Sequence, residues 1–262
     1  MVVDRAKFLG WSKPTDRQTI RALYRAHPLH AISLPSAAPA ANNSALTCRL
    51  DQLDRGTCHA QTVAQTIYME QLREGKPPFV PSAMAIAYWT RNLDGNADVD
   101  SGACIGSSYF IAAEMGIPSE ATWPYLSSRF VWRPAPYAYR DAFDRRGQVS
   151  VNYFPIVVNR ADVIERVLTS GRGVSFGVQV SEAFCAMLPN DVVQAPEPGE
   201  RIAGGHAMTI VGHDRDERKF LVKNSWGDWG DPACSPGCFW MAYEYVLSGE
   251  DFWFVGLSTG GL

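Results

Sequence analysis

Asp51-Gln-Leu-Asp-Arg-Gly-Thr-Cys58-His-Ala60 and, far downstream, Gly204-Gly-His-Ala-Met-Thr-Ile-Val211 and Lys219-Phe-Leu-Val-Lys-Asn-Ser-Trp-Gly227 carry most of the structural information in this chain. The first opens a helix. After Gly56, a turn residue, and Thr57, the expected N-cap, the apolar residues Ala60, Val63, Ala64, Ile67, Tyr68 and Leu72 recur at steps of three and four. The run ends near Gly75, ahead of Pro77 and Pro78. The other two stretches read as a hairpin. His206 begins an alternating run bounded by Gly204-Gly205 and Gly212-His213-Asp214, and residues 219–223 come after the charged turn 214–218 as its partner. His206, near the start of one strand, and Asn224, just past the end of the other, are then neighbours in space.

Each stretch carries a group suited to nucleophilic catalysis. Cysteine attacks only as the thiolate, so it needs a base beside it and usually a helix N-terminus beneath it. Cys58 falls in the first turn of its helix, where unpaired N–H groups and the dipole favour an anion, and its pKa is expected below the reference of about 8.5. His206 is the expected base. Asn224 Oδ1 would accept the second ring N–H of His206 and fix its tautomer, while Trp226 would shield that bond from water. Gln52, six residues before Cys58, is placed to aim its amide at a substrate carbonyl oxygen. With the Cys58 N–H it would form an oxyanion hole.

At these residues the chain resembles the papain-like cysteine peptidases, in particular the bacterial branch with a short N-terminal extension. The order Gln, Cys, His, Asn matches, with His206 lying 148 residues after Cys58. The strongest single match is Lys223-Asn-Ser-Trp-Gly227, with a second Trp-Gly at 229 and 230. Asp100-Ser-Gly-Ala-Cys104, a helix to Gly116-Ile-Pro, and Thr122-Trp-Pro-Tyr125 resemble the family's substrate-binding strand and the helix after it. The resemblance implies an α+β, papain-like two-lobed fold: a helical left lobe, an antiparallel β right lobe and the cleft between them. It implies that substrate backbone pairs with Gly102 and Ala103. It also implies a main specificity pocket lined by Cys104, Ile105, Gly177, Gly204, Gly205 and Ala207, roomy and apolar, with a preference for bulky hydrophobic side chains at the second residue before the cleaved bond.

Some positions depart from the family pattern. His59 and Arg55 stand where most members have tryptophan and often cysteine, so the usual disulfide cannot form from residue 55, although Cys48 could play a displaced version of that part. His59 is a rival base on a different helix face. Ala103 stands where glycine is common, and the loop after Trp226 is one residue short.

For the chain as a whole, 262 residues with 46% hydrophobic and 19% charged side chains suffice for one two-lobed domain or two small ones. A net charge of −3 gives no sign of nucleic-acid binding, and no stretch approaches a membrane span. The N-terminus lacks a continuous apolar signal segment. The expected address is therefore the cytoplasm, with a signal-free export route left open. Without Cys58 the cysteines are odd in number (48, 104, 185, 234, 238), which argues against a full disulfide framework. Cys234 and Cys238 read as a turn or local disulfide rather than a metal site, and no cofactor is implied. Asp94 to Asp100 reads as a solvated turn, since Val99 and Ile105 stand where a calcium loop needs glycine and glutamate.

Three parts emerge: a basic extension and linker (1–45), a helical lobe with the nucleophile (46–147), and a β lobe with His206 and Asn224 (148–262). The first 32 residues carry six Lys/Arg against two Asp, on a chain that is acidic overall. A basic arm on an acidic body suggests docking across or beside the cleft, like a short propeptide; a solvated tail or a brace on the outer surface is the plainer alternative. The expected partners are a peptide or protein substrate and this segment. The expected activity is endopeptidase cleavage through a thioester. A related acyl-transfer enzyme, an effector acting on one protein, and a silent peptide-binding homologue are the alternatives.

Overall fold

The structure, a computed structural model, describes residues 9–146, 149–158, 160–186 and 190–258. One helix organises it. Helix α2 (Cys58–Arg73) has thirteen of its sixteen residues buried, so it is a core helix rather than the one-faced helix its apolar spacing predicts. Several of its polar residues find buried hydrogen-bond partners. Thr62 Oγ1 meets Thr209 Oγ1 at 2.7 Å, Thr66 Oγ1 meets the Tyr109 hydroxyl at 2.6 Å, and Glu70 accepts from Arg73 and Arg172.

On one side of α2 lie α3 (Ala83–Leu93), α4 (Ile105–Met115) and α5 (Pro136–Arg146). Ser82 caps α3 by accepting the Ala85 N–H. On the other side is an antiparallel sheet. Its strands are β2 (Ser150–Pro155), β3 (Val174–Ser181), β4 (Ile202–Asp214), β5 (Lys219–Lys223), β6 (Cys238–Ala242) and β7 (Glu250–Ser258), ordered β2-β7-β3-β4-β5-β6. Helix α6 (Arg160–Thr169) and the short α7 (Glu182–Ala186) and α8 (Tyr243–Leu247) pack around it. Phe176, Phe220, Phe239 and Phe254, all fully buried, fill the core of this lobe. In the β3–β4 ladder Val178 stands opposite His206 and Gly177 opposite Ala207, and β5 pairs with β4 up to Lys223 opposite Thr209. That register leaves Asn224 just beyond the ladder, beside His206.

Several expectations change. The N-terminal extension is structured: α1 (Asp16–Arg25) carries a reciprocal capping box between Thr15 and Gln18, and β1 (Ala40–Asn42), inside the expected linker, pairs with β4 at residues 212–214. Thr57 holds the N-cap position as expected, but its side chain makes no capping bond, because its hydroxyl bonds the Tyr125 hydroxyl at 2.6 Å. The 94–100 turn is not merely solvated. Asp94 pairs with Arg21 of α1, and Asp100 accepts the Gly56 N–H at 3.1 Å, which pins the loop before Cys58. The sequence also reads as a helix from Asp162 to Thr169 capped by Asn159, and Asn159 lies outside the described residues.

Candidate active site

The N-terminus of α2 and the middle of β4 meet at the lobe boundary. There the Ala207 N–H points at Cys58 Sγ, 3.3 Å away, so His206, the preceding residue, shares the corner with the thiol. His206 Nε2 lies 2.8 Å from Asn224 Oδ1. A proton on Nε2 donates to that oxygen and leaves Nδ1 as the ring's acceptor; Nδ1 has no hydrogen-bond partner among the described residues. Asn224 Oδ1 is itself fixed by the Ser225 N–H at 2.8 Å. Trp226 stacks on the imidazole, with ring centroids 4.7 Å apart and planes 24° apart. Gln52 is tied to the same strand end: its N–H donates to Ser225 O, its Oε1 accepts the Ser225 hydroxyl at 2.7 Å, and its Nε2 donates to Arg55 O at 2.9 Å. The structure thus gathers Gln52, Cys58, His206, Asn224 and Trp226.

His59 is set apart from this group. Its Nδ1 meets Ser108 Oγ at 2.7 Å on the far side of α2, and burial, together with the charge of Arg91, pushes its pKa down to about 3. Its ring is neutral at neutral pH and meets Ser108 instead of the thiol.

Across the thiol runs the chain's own N-terminal segment. Ala103 donates its N–H to Gly10 O at 3.0 Å and accepts the Ser12 N–H at 3.2 Å, while Trp11 donates to Gly205 O at 3.1 Å. Trp11 and Ala103 form a parallel bridge. Ala103 therefore pairs without crowding, and the neighbouring Gly102 (φ 64°) supplies the close approach: a Cβ there would sit 2.4 Å from Gly10 O. Gly10 directs its own N–H at the Cys58 thiol, and a Cβ on Gly10 would lie 1.9 Å from Gly56 O. The Trp11 indole, 7% exposed, lies against Gly177 and Gly205, and Leu9 lies on Gly204. Ile105 and Ala207 share one apolar cluster with Trp11 and Cys58. Cys104 is buried beside them, its thiol on Ser107 Oγ at 3.1 Å.

Sequence reasoning missed Asp251. Its Oδ2 accepts the Trp11 Nε1–H at 3.1 Å, so a carboxylate stands at the inner end of a pocket expected to be apolar. Gly249-Glu-Asp-Phe-Trp253 reads only as the start of a strand.

Burial governs the electrostatics. With the segment in place Cys58 is wholly buried, and loss of hydration pushes the thiol up to about 12, against the lowering effect of the N–H groups of Ala207, Gly10, His59 and Cys58 itself. The same burial lowers His206 to about 4, although Asn224 works the other way. The covered site therefore holds a neutral thiol and a neutral imidazole. The thiolate expected from the helix N-terminus alone is outweighed. Among the described residues no cluster of three His, Cys, Asp or Glu side chains could hold a metal ion, and no helix is long and apolar enough to cross a membrane. Cys48, Cys234 and Cys238 are free thiols, with Cys234 Sγ on Asp231.

A cysteine at a helix N-terminus beside a histidine–asparagine pair, at the boundary between two lobes, is an arrangement that suits thiol-dependent acyl transfer. Residues 37–247 match the model of the papain family cysteine proteases, and the chain belongs to that family. It is 32% identical over 220 residues to an uncharacterized peptidase C1-like protein of Acanthamoeba polyphaga mimivirus, covering 79% of this chain and 68% of that one. Among solved structures it is similar to xylellain, a cysteine protease from Xylella fastidiosa, with TM-score 0.79, 25% identity and 96% of each chain covered. A procathepsin B from Trypanosoma congolense shares the fold at TM-score 0.65 and 14% identity, with 99% and 89% covered.

Proposed function

We propose that the chain is a cysteine endopeptidase whose four catalytic residues are Cys58, His206, Asn224 and Gln52, held latent by residues 9–12. The observation that carries this reading is the 2.8 Å contact between His206 Nε2 and Asn224 Oδ1, beside a thiol reached by the Ala207 N–H. That contact reserves Nδ1 for the Cys58 proton. Once water re-enters, the thiolate attacks the peptide carbonyl and the oxyanion is met by the Cys58 N–H and the Gln52 amide. His206 then protonates the leaving amine, and water, deprotonated by His206, hydrolyses the thioester. Latency arises from the hydrogen bonds that Gly10, Trp11 and Ser12 make to Ala103 and Gly205, which occupy the backbone groups a substrate would use.

The test is intact mass after incubation with an epoxide inhibitor of papain-like peptidases, paired with cleavage of a casein-type substrate. The full chain carrying Trp11→Ala should gain one adduct and cleave; adding Cys58→Ala should abolish both. An adduct on another cysteine, or cleavage that survives Cys58→Ala, overturns the assignment.

A further inference from the structure

The loop before Cys58, the start of α3 and residues 120–125 border a cavity of about 330 Å³, large enough for a small ligand. It lies apart from the covering segment, since the hydrogen bonds of residues 9–12 run to Cys58, Ala103, Gly205 and Asp251, none of which lines it. Its walls are tied to their neighbours. The Glu120 N–H donates to Val80 O at 2.7 Å, and the Tyr125 hydroxyl donates to Gln52 O at 2.8 Å. Leu50, Leu53, Val80 and Ala83 supply apolar surface.

Two polar groups of this cavity lack the partners that their burial calls for. The Glu120 carboxylate accepts the Tyr125 N–H and forms no ion pair among the described residues. Burial pushes its pKa up to about 7, against the lowering effect of that single N–H. Gln61, 1% exposed, has no hydrogen-bond partner for either amide atom among the described residues. The Tyr125 hydroxyl near it is committed to Gln52 O and to the Thr57 hydroxyl. The exposed Arg49 does not serve Glu120, because it pairs with Asp228 at 3.0 Å and with Asp51 at 4.0 Å. Arg49, Asp51 and Glu120, the charged side chains lining the cavity, therefore leave one acid without a counter-charge.

A cation completes this arrangement, and an ammonium suits it better than a guanidinium. One Glu120 oxygen already holds the Tyr125 N–H, so the carboxylate offers a point acceptor rather than the open pair of oxygens that a guanidinium fork takes. A charge-assisted bond then offsets the buried charge, and a short alkyl stem covers Leu50, Val80 and Ala83.

We propose that this cavity is a second binding site, which takes an alkylammonium group carried by a free amine or by a lysine side chain of another protein. It is independent of the catalytic assignment. The test is an amide NMR titration of the full-length chain at pH 8, where a carboxyl near 7 is ionised, with n-butylammonium as ligand and butyrate and n-butanol as controls of equal stem. Butylammonium should shift the Tyr125 amide resonance saturably, with a Kd in the millimolar range, and the two controls should leave it unmoved. Glu120→Gln keeps an acceptor for the Tyr125 N–H and should weaken binding at least about tenfold. Val80→Phe fills the cavity without touching its charge, should weaken binding as much, and carries the test if Glu120→Gln fails to fold. The peptide acetyl-Ala-Lys-Ala-amide separates the sources: saturable binding of the peptide identifies a lysine side chain, and binding of butylammonium alone identifies a free amine. No saturable shift with either ligand up to about 50 mM, equal binding to the Glu120→Gln protein, or butyrate bound as well as butylammonium overturns the proposal.

Discussion

The N-terminal extension is docked along much of its length, with Gln18 and Arg21 of α1 on Asp94 and the His27 N–H on Tyr153 O, but its contacts at residues 9–12 and at residues 40–43 are built differently. Residues 40–42 extend the sheet as β1 against β4. Asn43 then buttresses the turn after α6, its Nδ2 donating to Leu168 O at 2.8 Å and Arg172 O at 3.2 Å. That contact adds to the core of the β lobe and covers no reactive group. Residues 9–12 bridge the two lobes instead. They bond to Ala103 on one side and Gly205 on the other, and one large side chain, Trp11, is seated between glycines. A segment held by few hydrogen bonds and one buried side chain has a low local opening free energy. One end of the extension thus adds a strand to the sheet, and the other lies over the thiol.

The contrast between the two contacts is tested most directly at Trp11. Truncating a buried tryptophan costs about 3 kcal/mol or more, so Trp11→Ala should raise the epoxide labelling rate of Cys58 at least roughly a hundredfold over the wild-type chain. An unchanged rate would mean that residues 9–12 do not control access. Next in size is the effect of pH. His206 is held near 4 in the covered site and returns toward the ordinary value of about 6.5 when hydrated, so between those values each proton taken up favours the uncovered state. Asp251 acts in the opposite sense, because burial raises its carboxyl and protonation then favours the covered state, so the comparison is made on the Asp251→Asn background, where the imidazole contribution stands alone. The ratio of labelling rates with Trp11 intact to those with Trp11→Ala, in which thiol chemistry cancels, should climb about tenfold from pH 6.5 to pH 5. A flat or falling ratio would show that the imidazole is not hydrated on opening.

At the other contact, Asn43→Ala leaves two carbonyls without their donor and should cost about 1–3 kcal/mol in thermal or denaturant unfolding, with labelling of the folded protein unchanged. A matching rise in labelling would mean that the two contacts open together. The smallest effect is expected at Lys13, whose ion pair with Glu250 is exposed (68% and 41% for the side chains). Lys13→Ala should alter labelling by less than about fivefold, and a larger change would make the rim charge part of the hold.

Local pattern made much of this architecture legible. The α2 spacing, the Gly-bounded β4–β5 hairpin and the serine cap of α3 all rest on interactions within a few residues. Helix α1 was also legible in principle, since Thr15 and Gln18 stand three apart as a capping box does. Strand β1 was not legible. Ala40-Ala-Asn42 has no strand propensity, and pairing exists only because β4 presents a free edge there.

Sequence alone was enough for the peptidase class of the chain, because a cysteine at a helix start and a histidine–asparagine hairpin require only local chemistry in a set order. It also marked the basic N-terminal arm as a docking candidate. Where that arm lies against the cleft, and which side chain meets Trp11 there, depended on tertiary contacts. Gly10, Trp11 and Asp251 meet across some 240 residues of chain, and a contact of that range leaves no trace in periodicity. The charge state of the site has the same origin: burial under Trp11 outweighs the helix N-terminus and keeps Cys58 a thiol.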